Sequence, residues 1–405
     1  MDFIPIISTL RRHRTAALLV ILEIAFTCAI VCNAVFVIRD RLGNMNRPSG
    51  VAEDELVQVV LTGIGQKADP DVITRQDLVA LRALPGVKSV VSTNQLPFAG
   101  SAWSTSISTI ADDPDPDPPI NVARYLGGGG IVSTFGLHLI AGRDVSPTEI
   151  IAAKEADQTP TPCVIVTRSV AERLFPGDSA LGKAFYMGKD RVPIIGIVDR
   201  LERPNEYGGV ANRGLSIITP EEISYPDGRN YILRVDPAQR DAVIAAAEPV
   251  LRGIDPNRLV LDRLAFRDVR RKYFKQDLAM AWLLGIVVIT LLVVTALGVV
   301  GLASFWVQQR TRQIGVRRAL GATRGDILRY FQTENFILAT AGIILGMVLA
   351  YAINMWMMDK YHVGRLPASF LPIGAGVLWF LGQSAVLGPA LRAAAIPPAI
   401  ATRSV

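Results

Sequence analysis

The stretch Gly177-Asp178-Ser179-Ala180-Leu181-Gly182-Lys183 spells GxxxxGK. In that spacing a glycine-rich loop can cradle phosphates with backbone amides while a lysine reaches them. Two features argue against this chemistry. A phosphate loop needs a hydroxyl after the lysine to hold Mg²⁺, and Ala184 has none. The loop must also run from a strand into a helix, whereas a helix is predicted before it, over 168–175. The stretch therefore reads as a turn with a structural lysine, and the chain shows no recognisable nucleotide site. Other reactive residue types are scattered. His13, His138 and His362 make no metal cluster, and three cysteines make no disulfide framework. Cys28 and Cys32 stand four apart in an apolar run without His or acid partners for a metal site, and read as small packing residues. Glu23 lies in the same run. A carboxylate in lipid is costly and invites a functional reading. The other apolar runs offer it no ionisable partner, so a hydrogen bond to a neighbouring helix, or protonation in place, is the preferred reading.

The densest candidate is a run of cations. Arg310, Arg312, Arg317, Arg318, Arg324 and Arg329 stand together with one acid, Asp326. Such a cluster could meet anionic lipid head groups. Nucleic acid is a poorer fit, because so short a stretch between two apolar runs makes no folded basic domain. A third use is a short amphipathic helix that docks a cytoplasmic partner. Ile314, Val316, Leu320, Ile327 and Leu328 supply apolar contact, and Gly321-Ala322-Thr323 marks a break. The overall charge of +6 says less than this placement.

The elements that must hold these residues are mostly apolar. Of 405 residues, 50% are hydrophobic and 19% charged, which excludes a disordered or fibrous chain and disfavours a purely soluble enzyme. Runs over 15–38, 278–307, 335–358 and 366–391 each exceed the roughly 20 apolar residues that cross a bilayer. They predict four transmembrane helices. The first follows Arg11, Arg12 and Arg14 but is longer than a cleaved signal's apolar core, so it reads as an uncleaved anchor. Arginines flank the runs at 1–14, in the 308–334 loop, and in the 392–405 tail with Arg392 and Arg403. Positive charge marks the cytoplasmic side. Both termini and the loop are thus expected inside, and residues 39–277 outside.

The external segment predicts a mixed α+β domain of two lobes. Strands are expected at Leu56 to Leu61, Val87 to Val91, Trp103 to Ile110, Cys163 to Thr167, Val192 to Val198 and Asn230 to Val235. Helices are expected after Thr74 as N-cap, with Leu78, Leu81 and Leu84 on one face, at Arg168 to Phe175, and near Ala238 to Leu251. Pro85-Gly86 ends the first of these. Residues 112–119 (DDPDPDPP) read as a stiff acidic loop and Gly127 to Gly130 as a flexible tract. Alternation of strand and helix suggests βαβ units. In the third apolar run, Gly342 and Gly346 form GxxxG, which permits close helix packing within or between subunits.

The loop Arg310-Thr-Arg-Gln-Ile-Gly-Val-Arg-Arg-Ala-Leu-Gly-Ala-Thr-Arg324, with Asp326-Ile327 and Glu334 after it, resembles the signature of MacB/FtsX-type ABC transporter permeases. Gln313 stands where that pattern has Glu. Ser133 to Arg143, the RLFPG…LGK run from Arg173 to Lys183, and the ending from Pro389 to Pro398 are similar to the family too. The resemblance implies a dimeric permease, with a second permease of the same or a related chain. It implies a cytoplasmic ABC ATPase dimer as partner, and a periplasmic membrane-fusion adaptor and outer-membrane channel as further ones. Few residues precede the first run, so the ATPase is expected on another chain, which would bind the ATP and Mg²⁺. No cofactor is expected here, and no nucleic-acid partner. The segment from Ile314 to Ile327 would contain the coupling helix. Its site residues are then Arg312, Ile314, Gly315, Arg317, Arg318, Ala319, Leu320, Gly321, Ala322, Arg324, Asp326 and Ile327. The implied activity is efflux or extraction of a drug, peptide or lipid at a bacterial inner membrane. A second reading within the family is a mechanotransmitter that activates a periplasmic enzyme. A membrane sensor fits less well, since the loop and tails have no room for a signalling domain.

Overall fold

The computed structural model describes residues 14–63, 69–111, 120–156, 158–207, 209–223, 230–361 and 364–395. Arg11, Arg12, His13, His362, Pro398 and Arg403 lie outside the described residues, as does the 112–119 loop. Two compact units divide the chain: residues 1–46 with 276–405, and residues 47–275.

The first unit is helical. Among the described residues, four helices are long and apolar enough to span a membrane: α1 (Arg14–Met45), α7 (Lys275–Gln309), α9 (Arg324–Tyr361) and α10 (Phe370–Ala394). Between α7 and α9 lies the short α8 (Thr311–Ala319). Small residues let α1 and α9 approach closely. A methyl added at Gly342 would fall 2.8 Å from Ile24 Cβ, and one at Gly346 2.5 Å from Cys28 Cβ. The GxxxG spacing thus serves packing inside this chain. Cys32 fills the matching gap over Gly374 of α10. Polar residues bridge the helices. Asn33 donates to the Ala350 carbonyl at 3.0 Å, and Thr27 meets Thr295 of α7 at 2.8 Å. α9 begins well before the apolar run, because Thr323 and Asp326 cap it. The Thr323 amide donates to Asp326 Oδ2 at 2.9 Å, and the Asp326 amide to Thr323 Oγ1 at 3.2 Å.

The second unit holds two sheets. A four-stranded antiparallel sheet runs β11-β1-β10-β2, from β1 (Leu56–Gly63), β2 (Val87–Thr93), β10 (Asn230–Val235) and β11 (Arg258–Ala265). Its alternate residues Val57, Val59, Tyr231 and Leu233 pack on α2 (Pro70–Arg82) and α5 (Arg240–Ile254) through Leu81, Val243 and Leu251. Asp69, not Thr74, caps α2: its side chain accepts from the Asp71 amide at 3.0 Å. Thr74 sits a turn further in and donates back to the Pro70 carbonyl at 2.8 Å. The proline at the first helical position moves the start upstream.

The other sheet has seven strands. Six run in the order β3-β4-β9-β6-β8-β5, and β7 joins at β8. They are β3 (Ser104–Ile107), β4 (Ile120–Leu126), β5 (Leu139–Gly142), β6 (Val164–Thr167), β7 (Ala184–Met187), β8 (Asp190–Val198) and β9 (Ser216–Thr219). Among the described strands, the parallel pairs are in this sheet: β4 with β9 and β6 with β8. The βαβ expectation therefore holds for β6, α4 (Arg168–Leu174) and β8 alone. Gly127 to Gly130 is a turn: Gly127 bridges Thr93, and Gly130, at φ 94°, precedes the short α3 (Ile131–Phe135). β11 is followed at once by α6 (Phe266–Tyr273), and Phe274 alone separates α6 from α7.

Candidate functional site

α8 is built to be held on one side and open on the other. Its inner residues Ile314 and Gly315 are buried. Ile314 joins an apolar cluster with Val307 of α7, Ile327 and Phe331 of α9, and Ala390 and Ala393 of α10. Of the residues assigned to coupling by resemblance, Ile314, Gly315 and Ile327 thus face inward. Asp326 caps α9. Arg312, Arg317, Ala319, Leu320, Gly321 and Arg324 are exposed, and Arg318 and Ala322 half-buried. Val316 is 47% and Leu320 83% exposed, four residues apart beside these arginines. Arg317 also lies 5.0 Å above the Tyr330 ring.

The helix is stopped by chemistry local to its end. Gly321 takes φ 100°. Its amide donates to the Arg318 carbonyl, and the Ala322 amide to the Arg317 carbonyl, each at 3.1 Å. This is the Schellman ending, in which a left-handed glycine satisfies the last carbonyls. The segment from Ile314 to Ile327 is therefore not one helix; it is the end of α8, a turn and the start of α9.

Sequence reasoning named Arg310 and Glu334 but did not pair them. They form a buried ion pair, with Arg310 Nη1 at 2.8 and 3.1 Å from the Glu334 oxygens. Arg310 also stacks over Trp306 at 5.6 Å. The pair pins the junction of α7 and α8 to α9. A signal was available: opposite charges at the two edges of a loop between apolar runs. Three donors there, Arg310 Nη2, Trp306 Nε1 and Asn335 Nδ2, have no hydrogen-bond partner among the described residues.

Glu23 lies against Gly298 of α7, where a methyl would fall 2.6 Å from both carboxylate oxygens. The expected hydrogen bond to another helix is not made by any described residue. The GxxxxGK stretch runs from α4 through a turn into β7, the reverse of a phosphate loop. Lys183 pairs with Asp178 and lies 4.7 Å over the Phe175 ring. Cys163 is 2% exposed, and burial pushes its thiol up to about 11, which leaves little thiolate for chemistry.

Four apolar spanning helices, an inserted domain of two sheets and a short arginine-rich helix on the second connection define a membrane permease with a large external module. The FtsX-like permease C-terminal family matches residues 285–398, and the MacB-like periplasmic core domain matches residues 18–250. The chain belongs to the MacB/FtsX-type ABC transporter permeases. It is 24% identical over 341 residues to an uncharacterised ABC transporter permease, YknZ, of Bacillus subtilis (strain 168), covering 82% of this chain and 79% of that one. It is 23% identical to a macrolide export ATP-binding/permease protein, MacB, of Hahella chejuensis over 70% of this chain and 41% of that protein. The corresponding protein of Shewanella sp. (strain W3-18-1) is 26% identical over 47% of this chain and 30% of its own. The chain thus spans less than half the length of these MacB relatives. Among solved structures, the periplasmic region of MacB from Actinobacillus actinomycetemcomitans aligns with 56% of this chain and 97% of its own, at 13% identity and TM-score 0.35. The extracellular domain of YknZ aligns with 51% of this chain and 100% of its own, at 17% identity and TM-score 0.33.

Proposed function

We propose that the chain is the permease subunit of an ATP-driven complex, and that a separate ABC ATPase dimer grips the exposed face of α8 in the cytoplasm. The observation that carries this reading is the exposed Val316 and Leu320, framed by Arg312 and Arg317 on a helix whose root is buried. An apolar pair four residues apart on a short helix is what a groove on a partner takes. ATP and Mg²⁺ belong to that partner. Closure of the ATPase dimer tilts α8. The tilt passes through Arg310–Glu334 to α9, and along α7 to Phe274 and α6. Work done inside thus reshapes the external domain, and a substrate need not cross between the helices.

In this reading the membrane is the bacterial inner membrane, with the termini and the α8 connection cytoplasmic and residues 47–275 outside. The complex contains a second permease, the same or a related chain. It exports or extracts a drug, peptide or lipid, with a membrane-fusion adaptor and outer-membrane channel as further partners. Replacing Val316 and Leu320 together by Asp is expected to abolish co-purification of a co-expressed ABC ATPase while the chain stays folded. Retained ATPase at the wild-type ratio would contradict the docking role.

A further inference from the structure

The four-stranded sheet packs α2 and α5 on one face, and α6 with the 94–101 loop on the other. The pleat that sends Val57, Val59 and Tyr231 to α2 and α5 sends Gln58, Val60 and Asn230 the other way. On that side a cavity of about 430 Å³ lies between the sheet, the 94–101 loop and α6. Sites for small ligands run to about 300–1,000 Å³. Neutral amides line the floor. Gln58 donates to Asn230 Oδ1 at 2.8 Å, and Asn230 donates to the Asn94 carbonyl at 3.1 Å. Val60, Leu264 and Val269 add apolar wall, and Phe98 and Tyr273 add aromatic wall. Among the described residues of the lining the charged ones are Asp262 and Lys272, which neutralise each other at 2.7 Å.

This lining states what fits. Asn94 and Gln95 spend themselves on the Arg124 carbonyl at 2.9 Å, whereas Gln58 and Asn230 each use one N–H and keep a second, which matches a ligand carrying carbonyl acceptors such as amide groups. Aliphatic and aromatic walls match an apolar body. A net charge would lose hydration against a surface with no spare counter-charge. We propose that this cavity binds an uncharged, amide-bearing amphiphile of the class of a short blocked peptide.

The cavity is also wired to α6. Phe98 is the one non-glycine residue with positive φ, 61°, among the described residues. Such strain persists only where the surroundings impose it, and it gathers at ligand clamps. Arg47 and Arg270 lie 5.1 and 5.0 Å from the Phe98 ring, and Phe274 lies 5.3 Å away. Arg270 sits on α6 between Val269 and Tyr273, so an occupant and the Phe98 clamp share one helix. That helix leads within one residue into α7. The inference gives the proposed permease a ligand class, yet binding needs no ATPase, so the two readings can fail separately.

The test is equilibrium dialysis of the purified full chain in nanodiscs against radiolabelled acetyl-Leu-Gln-Tyr-amide, with empty nanodiscs as blank. Saturable binding is expected. Peptides with Asp or Lys in place of Gln should bind at least tenfold more weakly. Val60→Trp, which fills the cavity, and Ala99→Trp, on its exposed rim, should each weaken binding at least tenfold. Val79→Trp, on the exposed side of α2, should leave it unchanged. If circular dichroism shows Val60→Trp unfolded, Ala99→Trp decides. The proposal is overturned if the wild type shows no saturable binding, if a charged peptide binds as well, or if Ala99→Trp binds like the wild type.

Discussion

Within the membrane unit, α9 and α7 are treated in opposite ways. α9 is set into its neighbours. Gly342 and Gly346 admit α1 at distances where any larger residue would collide, and Cys28, Asn33 and Ala350 close the seam. α7 is packed mainly over its C-terminal half, where Thr295, Val299, Ala303, Trp306 and Val307 are buried; nearer its start only Ala281 is buried, and Asp277 pairs with Arg41 of α1 at 2.5 Å. Its N-terminal half shows Trp282, Leu283, Ile286 and Ile289 each more than 60% exposed. In lipid, apolar exposure costs nothing, and helices are held by close packing and polar bonds. α1, α9 and α10 make a closely packed frame, and in the function proposed above α7 acts as the lever.

The largest expected effect comes from breaking the Arg310–Glu334 pair. Glu334→Ala leaves Arg310 as an uncompensated buried charge, a loss of about 3–5 kcal/mol. Arg310→Leu with Glu334→Leu should recover most of it and still fail to couple to the ATPase. Thermal unfolding in nanodiscs reads the first claim, and hydrolysis rates read the second. If the double variant couples normally, the pair is structural filler and the lever has another root. Next in size is the frame. Gly346→Val would push a side chain into Cys28 Cβ and the Ala25 carbonyl, 2.5 and 2.7 Å away. Overpacking of this kind costs about 1–3 kcal/mol. Ile286→Ala on the N-terminal half of α7 is the matched control, with a change within about 0.5 kcal/mol. Equal destabilisation at both positions would erase the contrast between frame and lever.

The smallest effect is a control outside the membrane. Arg143 holds the Glu149 carboxyl down to about 2, with help from the Ser146 amide, against an ordinary value of 4.5. A carboxylate whose folded value is depressed stabilises the fold above the unfolded value and loses that contribution as pH falls through the folded one. The contribution is therefore full above pH 4.5 and fades toward pH 2. Arg143 is half-exposed, so water screens the pair and its contribution is small. Glu149→Gln should flatten this part of the acid limb and leave ATPase coupling untouched.

Much of the frame was legible in the sequence because membrane helices announce themselves locally. Each needs only its own run of apolar residues, and GxxxG marks where one can be approached. The short helix α8 was legible through its arginines and through Gly321, whose left-handed turn is a local demand. What escaped depends on distant partners. β1 pairs with β10 and β11, strands from the far end of the external segment, and a period of two gives a strand without naming its neighbour. β11 and α6 carry too many charges to stand out. They are half-buried elements whose arginines are spent on Glu248, Asp54 and Glu53. Arg310 read as one more surface cation until Glu334 was placed beside it. The start of α2 was misplaced for a smaller reason: a proline at its first position let Asp69 take the cap ahead of Thr74.

The lever itself can be watched. Spin labels at Trp282 on α7, Met355 on α9 and Val35 on α1 occupy exposed sites in the membrane unit. Pulsed dipolar distances between them are to be recorded in vesicles with the ATPase, before and after ATP binding. The account predicts that the 282–355 distance shifts on ATP binding and the 35–355 distance does not. A fixed 282–355 distance, or a shift of the α1–α9 pair in its place, would contradict it.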